Sequence, residues 1–276
     1  MPPKPPIKPR IFLILQGPPS RFCRHLRDEI VARGHQCLRI NLCAADYFSW
    51  FGRPCYNYFG KFKHFSAYLE RFITTHHVTD ILYYADRLPY HRVAADTARA
   101  RGINSYTYEF GYLRPDWVTI ERNGMSAHSH FPADPAHIRA AAKNLPTPES
   151  GPYYSYDFKT EAAYEVLFHL TNYFCRLPFL HYRRDRYYHE LVEYLHYIPK
   201  LLSAQKQARK AMAVLDDLLA RKTRYFLFAM QMQNDYQLRA NSPYRLQETA
   251  IREVITSFAA HAHADDELIF KKHPLD

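Results

Sequence analysis

Hydrophobic and polar positions follow two patterns along this chain. Ile11-Phe12-Leu13-Ile14-Leu15 has no polar member, as in a strand buried on both faces of a parallel sheet. Gln16-Gly17-Pro18-Pro19 predicts a turn, with Ser20 placed to cap a helix. Phe22, Leu26 and Ile30 then recur at i, i+4 and i+8, one face of a helix that Gly34 stops. Cys37–Asn41 predicts the next strand, which completes a βαβ unit. The unit repeats. Phe62, Phe65, Leu69, Phe72 and Ile73 share a helical face, and Asp80–Tyr84 is apolar enough for a third strand. His91–Arg101 is Ala-rich and helical, with Gly102 where a C-terminal glycine cap belongs. Ser105–Tyr108 predicts a fourth strand. Residues 11–110 therefore predict an open parallel sheet wrapped by helices.

The pattern then changes. Residues 132–152 are proline-rich and predict a linker with one short helix. Residues 158–220 have helical periodicity, which Pro178 and Pro199 are expected to break into about three helices. Tyr225–Met230 is another compact apolar run, followed by a loop over 231–243. Ile251, Val254, Ile255 and Phe258 give a helix face, and Leu268–Phe270 a strand. The expected organisation is an arm at 1–10, a Rossmann-like domain at 11–131, a linker at 132–157, a helical segment at 158–220, and the start of a second Rossmann-like domain at 221–276. One strand–helix–strand cannot close a core alone, so that second domain is expected to be incomplete here.

Composition narrows the function. The 276 residues are 47% hydrophobic and 23% charged, which fits a folded globular chain. No apolar run approaches the ~20 residues of a membrane span. The opening MPPKPPIKPR lacks the apolar core of a secretory leader, and a cytoplasmic location is expected. The net charge of +10 favours a polyanion, a phosphorylated small molecule or an anionic membrane surface. Cys23, Cys37, Cys43, Cys55 and Cys175 form no CxxC pair, and reduced thiols are expected.

Ligands of open parallel sheets sit at the carboxyl ends of the strands. Four loops qualify: Gln16–Pro19, Asn41–Asp46, Ala85-Asp86-Arg87 and Glu109-Phe110-Gly111. Asp86 and Glu109 thus fall on one rim, where a carboxylate can act as acid, base or nucleophile. Either could instead cap a helix or pair with a nearby arginine. There is no GxGxxG and no GxxxxGK[ST], which removes most support for dinucleotide or P-loop chemistry. Lys271-Lys272-His273-Pro274 follows a strand, and a cation with an imidazole there suits a phosphate oxygen. A basic surface turn is the plainer reading. His181–Tyr188 interleaves Tyr and Arg, either as a phosphate- or lipid-facing patch or as a solvated helix face. The His76-His77 and His261/His263 pairs lack a matching ligand set, so no metal site is expected.

Several pieces taken together resemble a known family. Glu109-Phe110-Gly111-Tyr112-Leu113-Arg114-Pro115-Asp116-Trp117 resembles the EEGYLRPxW segment of bacterial capsule polysaccharide β-Kdo transferases of the KpsS/LipB type. Leu15–Pro18, Arg39-Ile40-Asn41, Asp86–His91, Asn234–Arg239, Ser242-Pro243-Tyr244 and Lys271–Asp276 match further pieces in order. The resemblance covers nearly the whole chain. It implies a GT-B fold of two Rossmann-like domains facing a cleft, with the second truncated here. It implies CMP-β-Kdo as donor, a lyso-phosphatidylglycerol acceptor, retention of configuration, and neither metal nor cofactor. The acidic-x-Gly motif maps onto Glu109 and Gly111, and Lys-x-His-Pro onto Lys271, His273 and Pro274, which hold the CMP portion. Many members carry a second acid where this chain has Phe110, so the catalytic role falls on Glu109. Gln16, Gly17, Asp86, Arg87, Arg114, Gln237 and Ser242 complete the expected substrate-binding set. Expected partners are the inner face of the inner membrane and capsule assembly or export proteins, with no nucleic acid. The rival readings are a non-catalytic scaffold of that export complex and a basic nucleic-acid-binding protein. The latter has no RNP, KH or helix-turn-helix pattern behind it.

Overall fold

The computed structural model describes residues 8–111, 116–147, 157–185 and 189–273. The chain divides into two compact units, Met1–Asp185 and Arg186–Asp276.

The first unit is built from β1 (Ile11–Ile14), α1 (Phe22–Ala32), β2 (Gln36–Asn41), α2 (Ala44–Ser49), β3 (Tyr56–Asn57), α3 (Phe65–His76), β4 (Asp80–Tyr84), α4 (Pro89–Ala100), β5 (Asn104–Phe110), β6 (Val118–Arg122), α5 (Pro135–Ala142) and α6 (Phe158–Phe174). Its sheet runs β3-β2-β1-β4-β5-β6. All neighbours are parallel except β5 and β6, which pair antiparallel. The chain steps outward from β1 through β2 to β3, then returns to the other side of β1 as β4. The direction of winding therefore reverses between β1 and β4, where open α/β sheets leave a crevice.

Successive side chains of a strand point to opposite faces, and both faces here are covered. Leu13, Leu15, Ile81 and Tyr83 pack against Phe65, Leu69 and Ile73 of α3 and Ala94 and Ala98 of α4. Ile14, Leu82 and Tyr108 pack against Cys23 and Ile30 of α1, with Trp50 alongside. Burying each large aliphatic or aromatic side chain contributes about 1.5–3 kcal/mol, which explains the unbroken apolar runs in β1 and β4. Gly34 and Gly102 follow their helices at φ +81° and +65°, the left-handed conformation that a glycine adopts without strain.

The structure departs from the sequence expectation in several places. Four parallel strands were expected and six strands form. The β3 bridge is two residues long, and β6 is an edge strand whose Val118 and Ile120 face outward. Asn41–Asp46 was expected as a loop, yet Ala44–Ser49 is α2, too short to show a 3.6-residue period. Ser20 was expected at an N-cap. Arg21 occupies it, while the Ser20 Oγ accepts from Phe22 N at 3.2 Å.

The second unit holds α7 (Glu190–Arg221), β7 (Tyr225–Ala229), α8 (Tyr236–Arg239), α9 (Gln247–His261) and β8 (Glu267–Lys271). Pro199 lies inside α7 and does not end it. The ring removes one backbone donor, and the helix continues through it. Residues 175–185, around Pro178, are not helical. The strands β7 and β8 pair in parallel, Tyr225 with Glu267 through Ala229 with Lys271. Arg224 Nε donates to Asp266 Oδ1 at 2.6 Å just ahead of that ladder, and this bond holds the Asp266 carboxyl at about 2.

Candidate functional site

Because β1, β4 and β5 run in parallel, Gln16, Asp86 and Glu109 leave them at the same edge of the sheet. Their environments differ. Asp86 follows Ala85, which has φ +52°, and its side chain is only 6% exposed. Its Oδ2 accepts from Met125 N at 3.1 Å, and its Oδ1 lies 3.5 Å from Arg87 Nε. Asp86 thus fastens the turn after β6 to the turn after β4, and the arginine pairing is the one left open from sequence. Arg87 Nη1 donates to His128 Nε2 at 2.7 Å. Glu109 is half-buried near the end of β5, opposite Thr119 of β6. Two residues on, Gly111 N donates to Trp117 O at 2.7 Å. A Cβ on Gly111 would lie 2.5 Å from that same oxygen. Glycine is therefore required for the close approach of the two chain segments beside Glu109.

Gln16 is buried. Its Nε2 donates to the Tyr182 hydroxyl at 3.1 Å and to Cys43 Sγ at 3.4 Å. Tyr182 also stacks on Tyr90 at 5.8 Å, and Arg183 N donates to the Tyr90 hydroxyl at 3.0 Å. The described part of the His181–Tyr188 stretch is thus neither a helix face nor a free patch. Residues 181–185 fold back onto the first sheet, and Gln16 is the polar group that receives them. Gly17 lies against α1 and β5, and a Cβ there would collide with Cys23 Sγ and come within 3.0 Å of the Tyr108 hydroxyl.

Sequence reasoning missed the buried polar network under this edge. Arg39, 2% exposed, donates from Nε to Asn41 Oδ1 at 3.1 Å, from Nη2 to Asp46 Oδ1 at 3.0 Å, and from Nη1 to the Leu15 carbonyl. Asp46 Oδ2 accepts from Leu42 N at 3.0 Å, and the Arg39 guanidinium lies 5.2 Å from the Trp50 ring centre. Burial pushes the Asp46 carboxyl up against the pull of Arg39. An arginine at an inward position of a strand was the one available signal. Burial also pushes up the thiols of Cys23, Cys43 and Cys37, the last to about 12. These three are neutral thiols at pH 7 and poor nucleophiles.

A cavity of about 250 Å³ opens beside this network, at the carboxyl ends of β1 and β2. Gly17, Pro18 and Pro19 form one wall, and Phe48 of α2 with Leu167 and Phe168 of α6 form the facing one. Arg39 and Asp46 lie at its floor, and Arg21 and Arg24 at the start of α1.

In the second unit, β7 and β8 also end at one edge. Lys271 closes β8, and its carbonyl accepts from Met230 N at 2.9 Å. His273 follows two residues later and is half-buried. The connection after β7, expected as a loop over 231–243, contains the one-turn helix α8, which carries Gln237, with Ser242 just beyond it. Gln237 Oε1 accepts from Asn241 Nδ2 at 3.2 Å, and Ser242 Oγ donates to the Leu238 carbonyl at 2.8 Å. The parallel pairing puts the start of the connection after β7 and the residues after β8, Lys271 and His273, at one carboxyl edge. Arg114 and Pro274 lie outside the described residues. No group of three or more His, Cys, Asp or Glu able to hold a metal occurs among the described residues, and no helix is long and apolar enough to cross a membrane.

The chain is similar to capsule polysaccharide proteins over most of its length. It is 28% identical over 269 residues to the capsule polysaccharide export protein KpsS of Escherichia coli, covering 96% of this chain and 68% of the relative. It is 27% identical over 286 residues to the capsule polysaccharide modification protein LipB of Neisseria meningitidis serogroup A, and 28% over 283 to that of serogroup B. Each of those two alignments covers 96% of this chain and 64% of the relative, so the chain spans about two thirds of their length. A family model for capsule polysaccharide biosynthesis proteins matches residues 79–276. That span runs from β4 past Glu109 and His273, and it places the chain in the capsule polysaccharide biosynthesis protein family.

Proposed function

We propose that this protein is a retaining β-Kdo glycosyltransferase that moves Kdo from CMP-β-Kdo to a lyso-phosphatidylglycerol acceptor during synthesis of the capsule's lipid-linked end. The observation that carries this reading is Glu109. It is a carboxylate at the carboxyl end of a parallel strand in a capsule-family chain, beside a glycine whose side chain could only be hydrogen. The architecture we propose is GT-B, with the second unit as the beginning of the donor-binding domain.

Retention requires an even number of inversions or a front-face route. In the first displacement, the Glu109 carboxylate attacks the anomeric carbon, a carbon–oxygen bond forms, and CMP leaves with the electron pair of the broken bond. In the second, the acceptor hydroxyl attacks the same carbon, loses its proton and releases Glu109. Retaining glycosidases use the same sequence. Lys271 and His273 would hold the CMP phosphate as its charge develops. Gln237 and Ser242, in the connection after β7, would contact the nucleotide. Asp86 and Arg87 shape the rim around Glu109, and Gln16 and Gly17 set the adjoining turn. The net charge of +10 suits an anionic sugar nucleotide and an anionic inner-membrane face, where we place the protein beside the capsule assembly and export machinery. No metal or cofactor enters this scheme.

The test is transfer of radiolabelled Kdo from CMP-Kdo to lyso-phosphatidylglycerol, read as a lipid product. A labelled lipid that disappears in Glu109→Gln supports the reading. Absence of product with a protein that binds CMP removes it. The second reading, a non-catalytic component of capsule export, draws on the name of the Escherichia coli relative. It predicts neither product nor CMP binding.

A further inference from the structure

The turn between β6 and α5 holds a histidine against the rim that carries Glu109. Residues 123–128 reverse the chain in a conformation that most residues avoid. Asn123 and Ser126 have φ +65° and +54°, with Gly124 between them at φ +144°. Left-handed backbone is costly outside glycine, and such strain gathers where a side chain must be aimed. A Cβ on Gly124 would lie 2.6 Å from the His128 carbonyl oxygen and 2.7 Å from the His128 Cβ, so the turn closes tightly beneath His128. Three bonds fasten it. Asp86 Oδ2 accepts from Met125 N at 3.1 Å, the Met125 carbonyl accepts from His128 N at 2.9 Å, and Ser129 Oγ donates to Glu121 Oε2. His128 is exposed there, and its Nε2 accepts from Arg87 Nη1 at 2.7 Å. Arginine stays charged in proteins, so the imidazole that takes this bond is neutral and carries its proton on Nδ1. On its other side Arg87 Nε lies 3.5 Å from Asp86 Oδ1, and the arginine side chain is only 14% exposed. Asp86 and His128 thus fix one guanidinium from two directions. Ala85, just before Asp86, donates from its N to the Tyr108 carbonyl at 3.1 Å, which puts the arrangement beside Glu109.

We propose that His128 is a positioning residue, which holds the Arg87 guanidinium to receive the carboxylate of a 2-ulosonic acid at the carbon that Glu109 attacks. The identity of the sugar rests on the transferase reading. The need for a cation follows from the chemistry of such acids, which carry their carboxylate directly on the anomeric carbon. A Glu109 carboxylate approaching that carbon meets a second negative charge, and like charges in a partly buried site repel strongly. A guanidinium bound to the sugar carboxylate removes the repulsion, and its fork of donors matches a carboxylate in two contacts. A neutral imidazole suits the holder's role, because it accepts from Arg87 without cancelling the positive charge. An acid at position 128 would neutralise the guanidinium that the substrate requires. The strained turn is then the means of placing that imidazole where an exposed side chain would otherwise swing freely.

Equilibrium binding to the full chain, in the parent, His128→Ala and His128→Gln, provides the test. Glutamine puts an acceptor oxygen near the place of Nε2 and keeps the hold on Arg87, and alanine does not. The probes are 2-deoxy-β-Kdo, which keeps the carboxylate and has no leaving group, its carboxamide, and CMP. The parent should bind the acid about tenfold or more tighter than the carboxamide, the scale of one charge-assisted contact. His128→Ala should lose that preference with CMP binding unchanged, and His128→Gln should restore it. In the transfer assay, His128→Ala should raise the KM for CMP-Kdo and leave the KM for the lipid acceptor as it was. A histidine that only braces the turn would produce neither split. Circular dichroism on each variant confirms that it is folded. A preference for the acid that is the same in parent and His128→Ala overturns the proposal. So does a parent with no such preference, or an equal loss of CMP binding, which indicates a nucleotide contact. The two readings fail separately. Lipid product formed by a folded His128→Ala protein with unchanged KM for CMP-Kdo removes the role of His128 and leaves the transferase. Binding of the acid that depends on His128, without lipid product, does the reverse.

Discussion

Arg39 and Glu109 represent two kinds of charged residue at one sheet edge. Arg39 is enclosed, with its donors committed to Asn41, Asp46 and the Leu15 carbonyl. Removing one partner of a buried ion pair leaves the other uncompensated and costs about 3–5 kcal/mol. Arg39→Met should therefore shift the urea midpoint strongly downward, whatever it does to activity. A loss below 1 kcal/mol in denaturant titrations would show that the network has solvent access. Glu109 lies half-buried at the strand end. Glu109→Gln keeps the shape and loses the charge, so folding should be unaffected. Turnover should fall by about 10³-fold or more, as loss of a covalent nucleophile implies. Near-normal turnover by a folded Glu109→Gln protein removes the residue from the chemistry.

Among the elements, α4 carries an internal pH sensor for stability. His91, in its first turn, is fully buried and stacks on Tyr83 at 5.2 Å. Its Nδ1 donates to the Ala85 carbonyl at 3.0 Å, while Nε2 is buried without a hydrogen-bond partner. Burial lowers its pKa to about 4, with a smaller push from Arg39. The folded state thus prefers neutral imidazole, while the unfolded chain binds a proton near pH 6.5. The stabilisation is full above pH 6.5 and is lost as pH falls to about 4, a span worth roughly 3 kcal/mol. His91→Asn retains the donor to Ala85 and removes the titration. Denaturant midpoints of parent and variant should converge between pH 7 and pH 4.5. A constant difference would place the proton elsewhere. At the end of β8, His273→Ala should weaken CMP and CMP-Kdo alike, by about 1.5–3 kcal/mol for a charge-assisted hydrogen bond. Titration calorimetry with CMP reads this directly, and unchanged affinity removes His273 from phosphate contact.

At the level of the whole molecule, the two units differ in how much they enclose. The first has a six-stranded sheet covered on both faces. The second has a two-stranded sheet, with Tyr225, Phe226 and Leu227 of β7 exposed at 43%, 48% and 56%. Two-stranded sheets have marginal stability by themselves, and open strand edges promote association. Amide hydrogen exchange on this chain should be slow in β1, β4 and β5 and much faster in β7 and β8. Protection in the second unit should rise with protein concentration. Equal, concentration-independent protection in both units would show that the second is self-sufficient.

The sequence by itself determined the local plan. Apolar runs marked β1 and β4, because a strand covered on both faces has no solvent side, and marked β7 as well, although most of its side chains are exposed here. Three- and four-residue spacing marked α1, α3 and α9, because only one helix face is buried there, and an alanine-rich run ahead of Gly102 marked α4. Ordered parallel strands also put Glu109 and Asp86 on one rim and Lys271 and His273 on another. Tertiary structure alone decided what each of these groups meets. Asp86 is held by Met125 N, 39 positions away, and Gln16 by Tyr182, 166 positions away. A pairwise pattern along the chain carries no record of such distant partners. Arg39 entered the sequence reading only within Arg39-Ile40-Asn41, a matching piece of the resemblance, and its role required Leu15, Asp46 and Trp50 to converge on it. The cavity beside it exists only because α6 packs near α2, more than a hundred residues apart in sequence, and no local periodicity encodes that meeting.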